Sequence, residues 1–136
     1  MDADVARDFI RNHHRAVMIT RRSDDGLQAS PITVGVDHDG MVVVSTRETA
    51  MKTKNLRRDP RVSVCVMNDG FFGEWVQVDG EATIVALPEA MEPLVEYYRS
   101  IAGEHSDWDD YRAAMQRERR VLVRIAITRV GPDRHG

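Results

Sequence analysis

Residues 41–67 read MVVVSTRETAMKTKNLRRDPRVSVCVM. The valines at 42–44 open a β-rich run, and residues 61–68 (RVSVCVMN) alternate apolar and polar with the period of a half-buried strand. Between them, residues 50–58 have helical composition and stop ahead of Asp59-Pro60, because a residue before proline disfavours the helical region. The stretch therefore reads strand, short helix, strand. Lys52, Lys54, Arg57 and Arg58 crowd there beside Ser45, Thr46, Thr49 and Thr53, in a chain whose formal net charge is −3. Cations, hydroxyls and the unpaired N–H groups of a helix start together suit a phosphate ester. Charge alone leaves a second reading open, a solvated helix face. No G-x-x-x-x-G-K-[ST] or G-x-G-x-x-G motif decides between them.

Working outward, the same alternation recurs. Residues 16–22 and 28–37 read as strands separated by the turn Ser23-Asp24-Asp25-Gly26, with Pro31 marking an edge or an irregularity in the second. His38-Asp39-Gly40 turns the chain into residues 41–46, and Asn68-Asp69-Gly70 turns it again before a long strand over 75–86, where Gly80 is the expected bulge or bend. Helices are expected over residues 2–13, capped by Asp2 or Asp4, over 88–102 and over 107–119. Residues 120–130 supply the last strand. About six strands, mostly joined by short turns with one helical excursion, predict a mainly β fold with flanking helices: a small antiparallel barrel.

The chain has 136 residues, enough for one domain spanning 1–136 and its core. Apolar and charged fractions of 42% and 30% are ordinary for a globular protein. The slightly acidic balance argues against nucleic-acid binding. No apolar run has membrane-spanning length and the polar start MDADVARDFIRNHH does not suit a signal peptide, so a cytoplasmic protein is expected. Cys65, the single cysteine, sits in the apolar alternation as a structural thiol. The five histidines show no metal spacing, and the acidic trio Asp107, Asp109 and Asp110 reads as charge compensation at a helix start. With no G-x-S-x-G elbow either, no metal and no catalytic side chain is expected. That absence fits chemistry carried by a cofactor.

Three stretches in order, QASPITVGVDHDG, STRETAMKTKNLRRDPRVSV and YYRSIAGEHSDWDDYRAAMQRERRVLVRI, are similar to the FMN-binding split β-barrels related to pyridoxamine 5′-phosphate oxidase. Within that superfamily they most resemble the actinobacterial coenzyme F420-dependent oxidoreductases. The resemblance implies a homodimer with two sites at the subunit interface. It also implies reduction of a conjugated or heteroaromatic small molecule by hydride from reduced F420. FMN is the alternative cofactor, and a non-catalytic F420, flavin or haem carrier the alternative of another class. Residue by residue, the A/R-x-K-x-x-N-L pattern starts at Ala50, where arginine is frequent. It makes Lys52 the phosphate ligand, with Asn55, Thr53 and the hydroxyl of Ser45 beside it. The strand carrying Ile32, Thr33 and Val34 would run along the ring, and Trp75 would lie where the partner subunit makes a contact. Arg57, Arg58 and Arg61 are candidates for an acidic cofactor tail. The ending Gly131-Pro132-Asp133-Arg134-His135-Gly136 departs from the family's C-terminal contact.

Overall fold

Alternating valines build the sheet. In the computed structural model, which describes residues 1–134, β1 (Arg15–Arg21) pairs antiparallel with β2 (Leu27–Thr33) on one side and β5 (Arg61–Met67) on the other. The β1–β5 register sets Ala16, Met18 and Thr20 opposite Val66, Val64 and Val62, and β6 (Trp75–Val85) continues these rows with Val76 and Val78. All are buried, because a period of two sends every second side chain to one face. The order β2-β1-β5-β6-β7-β4-β3 is completed by β7 (Arg120–Asp133), β4 (Val42–Arg47) and the two-residue β3 (Gly35–Val36). Helix α1 (Ala3–Asn12) is capped by Asp2, whose carboxylate accepts the Val5 N–H at 2.9 Å, and sends Phe9 and Ile10 into this core.

The opposite face of the β4–β7 pair carries Val43 and Leu122. Against them pack Leu94 and Val95 of α3 (Met91–Ala102) and Tyr111 and Met115 of α4 (Trp108–Arg117), a second core outside the barrel. Asp107 caps α4 by accepting the Asp110 N–H at 3.1 Å, so the acidic trio serves a helix start. Among the described residues no group of His, Cys, Asp and Glu could hold a metal ion; His135 lies outside them. No described helix is long and apolar enough to cross a membrane.

Three expectations change. The strand foreseen over 28–37 is two strands, so the sheet has seven members and not six. The break falls at Val34, whose N–H donates to the His14 carbonyl at 2.8 Å and whose carbonyl meets His14 Nδ1 at 2.8 Å. Helix α3 begins at Met91, with Pro88 in the preceding turn. The last strand runs on to Asp133. Gly80 does sit at an irregularity, a register slip between Asp79 and Gly80. A Cβ there would stand 2.3 Å from the Ala126 carbonyl oxygen, so the two strands approach too closely for any side chain.

The sheet curls until its two ends meet without pairing. β2 and β4 come into contact, yet no ladder joins them. Pro31 is tolerated because β2 is an edge strand. The fold is thus mainly β with flanking helices, a barrel left open along one seam.

Candidate functional site

A groove of about 620 Å³ runs along that seam. Its walls come from β2 (Pro31, Ile32, Thr33), β4 (Ser45, Thr46), Lys52, the outer helices and the start of β7. Helix α2 (Met51–Arg58) fixes the lysine. Its start is locked because the Thr53 hydroxyl donates to the Arg47 carbonyl at 2.6 Å and the Ala50 carbonyl accepts the N–H groups of Thr53 and Lys54. No side chain caps this helix. Lys52 then reaches across the seam, with Nζ 3.4 Å from the Ser30 hydroxyl of β2.

The cationic cluster of the sequence divides once folded. Arg57 pairs with Glu48 at 2.8 Å and Arg61 with Asp59 at 2.7 Å, while Arg58 donates to the Arg21 carbonyl and to Asn55. Lys52 is the member that lines the groove, and no ion pair involving it occurs among the described residues. Partial burial, and secondarily the positive charge of Arg120, lower its pKa. Lys52, without a carboxylate partner of its own and with Arg120 on the same lining, leaves a site that suits a negative ligand. Arg120 has Glu118 as its own partner at 2.8 Å, and Glu118 also takes Arg47 at 3.1 Å.

The groove is also lined by Tyr97, Tyr98, Tyr111 and Met115. The Tyr97 hydroxyl donates to the Thr33 carbonyl at 2.8 Å and the Tyr111 hydroxyl to the Leu94 carbonyl at 2.8 Å. Burial raises both phenols, Tyr111 to about 12, so both are neutral donors. Cys65 lies outside the groove and burial raises its thiol, as suits a structural residue.

The structure brings together Lys52, Ser45, Ile32 and Thr33 from the expected set. It places the others elsewhere. Asn55 is 1% exposed and donates to the Thr20 hydroxyl at 3.1 Å, tying α2 to β1. Thr53 is spent on the helix start and Ala50 contributes backbone there. Val34 is buried with its backbone held by His14, and Trp75 sits on β6 opposite Met67, off the groove in one subunit. Ser30, Arg120 and the tyrosines were missed. The tyrosines belong to a visible tyrosine-rich stretch before β7 and Ser30 to the strand ahead of Pro31, but only folding puts them beside Lys52.

A ligand that matches this lining carries an anion for Lys52 and a flat, apolar body for the tyrosines and Ile32. A phosphate-bearing aromatic cofactor fits the donors present, since Lys52 offers uncommitted N–H groups and the tyrosines offer ring faces.

Known proteins agree on the frame. A conserved hypothetical protein from Mycobacterium tuberculosis is 28% identical over 96% of this chain and 82% of its own, with a TM-score of 0.77. An F420 reductase superposes with a TM-score of 0.69 at 17% identity, covering 91% of this chain and 94% of its own. A heme binding protein from Mycobacterium smegmatis reaches 0.70 at 19% identity, over 94% of this chain and 52% of its own. At such identities the last two share the fold. The family model described as pyridoxamine 5′-phosphate oxidase matches residues 3–132, nearly the whole chain. The seam groove and this match give one conclusion: the chain belongs to the pyridoxamine 5′-phosphate oxidase family.

Proposed function

We propose that the chain is an F420H2-dependent reductase acting on a conjugated or heteroaromatic small molecule. The observation that carries the reading is the groove's lining: Lys52, with no ion-pair partner among the described residues, shares one space with three tyrosines and Ile32. The cofactor, when bound, supplies a hydride from its ring, as cofactor chemistry does generally. Lys52 would hold the phosphate, with the Ser45 and Ser30 hydroxyls beside it. The backbone of residues 31–33 and the tyrosine rings would fix the plane of the ring and keep water from one face. Tyr97 and Tyr111 give their hydroxyl protons to backbone carbonyls, so neither is aimed at a substrate. Water entering the open groove then supplies the proton.

A homodimer belongs to this proposal. Strand β2 has no buried residue, Leu27 at its start is 57% exposed, and Phe71 and Phe72 on the β5–β6 hairpin are 83% and 92% exposed. A second copy over the seam would cover such surface and bring its Trp75 toward the ring. FMN is the second reading, favoured by the family match over residues 3–132. Parallel fluorescence titrations with F420 and FMN decide between them, followed by turnover of reduced F420 with a panel of acceptors. Tight F420 binding without reduction of any acceptor would move the chain to the carrier class.

A further inference from the structure

Tyr97 borders two cavities. One is the seam groove. The other, about 460 Å³, is floored by Val36, Val43, Val85 and Leu122, and Tyr97 is the residue the two linings share. Its hydroxyl donates to the Thr33 carbonyl at the end of β2 at 2.8 Å. The phenol is thus anchored to β2 beside the place where a ladder between β2 and β4 is missing.

Two contacts mark out a length of β2. Lys52 meets it at Ser30, and Tyr97 meets it at Thr33. Three residues of strand separate those contacts, roughly 10 Å. A ligand whose anion is held at Lys52 and whose body runs along β2 toward residue 33 meets the Tyr97 ring.

We infer that Tyr97 is a specificity-determining partition: it closes the ring end of the groove and limits the length of the flat ligand accepted there. This rests on the proposed reading of the groove as a site for a phosphate-bearing tricycle. Without the phenol ring, groove and second cavity become one space. The added part has buried Val36, Val43 and Leu122 on its inner side, while Asp37, Asp39, Glu92, Glu96 and Arg124 also line it with ion-pair partners of their own. It suits an apolar substituent at the far end of the ring system, since an apolar group entering it leaves no polar atom unpaired.

The test compares wild type, Tyr97→Phe and Tyr97→Ala, each checked for folding by circular dichroism. FMN and an FMN derivative carrying an alkylamino group on the benzenoid ring are titrated by fluorescence. Wild type and Tyr97→Phe should prefer FMN at least tenfold, whereas Tyr97→Ala should lose or reverse that preference. The Val43 methyl resonances should shift with the derivative in Tyr97→Ala and stay still in wild type. An unchanged preference in Tyr97→Ala, or a Val43 response in wild type, overturns the partition. If wild type does not bind FMN, toluene reads the partition alone, and if it binds neither FMN nor F420 the proposed function falls as well. Ile32 and Val43 methyls should then report two separate affinities in wild type and one shared affinity in Tyr97→Ala. Separate affinities in both proteins overturn it.

Discussion

Replacing Lys52 with alanine isolates the groove's one lysine. Its ammonium has three donors, and the structure commits one of them, weakly, to Ser30 at 3.4 Å. The remainder face the groove, where a phosphate oxygen would complete them. A hydrogen bond to a charged partner contributes about 1.5–3 kcal/mol. Its loss corresponds to a rise in Kd of roughly tenfold to 150-fold, since each 1.4 kcal/mol is a factor of ten. The folded protein itself should lose little. Lys52 is partly desolvated and repelled by Arg120, so its removal relieves an unfavourable contact. Fluorescence titration with F420 and FMN at physiological ionic strength measures the change, and chemical denaturation measures stability alongside it. Arg57→Ala is the control, because Arg57 is paired with Glu48 at 2.8 Å and does not line the groove. An unchanged Kd in Lys52→Ala, or an equal loss in Arg57→Ala, refutes the assignment.

Three other outcomes are expected. In the free protein Lys52 has a lowered pKa, and a bound anion must raise it, so affinity holds while Lys52 stays protonated. It then falls as pH climbs through the free-protein value. Lys52→Arg should abolish the fall, and a flat wild-type profile up to the ordinary lysine value of 10.5 contradicts this account. Asn55→Ala should cost stability, about 1–3 kcal/mol for a buried bond broken on one side, while ligand affinity drops less than in Lys52→Ala. The reverse ranking would return Asn55 to the ligand. Gly80→Ala should destabilise by about 1–3 kcal/mol or more in urea unfolding, because its Cβ would meet backbone at 2.3 Å; a neutral result would show that β7 can move aside.

The elements were legible because their signals are local. Val62, Val64 and Val66 declare a strand wherever it sits in the sheet, and Asp59-Pro60 ends α2 without help from tertiary contacts. The break at Val34 was not legible. It depends on His14, twenty residues away in sequence, taking the backbone bonds that a continuous strand would have used. Likewise the basic cluster was visible as composition, but its division was not. Whether a side chain points to solvent, to Glu48 or to the groove depends on what β2 and β7 place around α2.

By itself the sequence determined the strand–helix–strand unit at 41–67, the mainly β character and the presence of a lysine suited to a phosphate. Periodicity and proline act within a few residues and need no partner. The tertiary structure decided that the barrel stays open between β2 and β4, that Lys52 is the cation facing that seam, and that Arg120 and three tyrosines share it. Those facts arise because Ser30 and Arg120, ninety residues apart in sequence, both come close to Lys52, and only closure of the sheet brings such residues together.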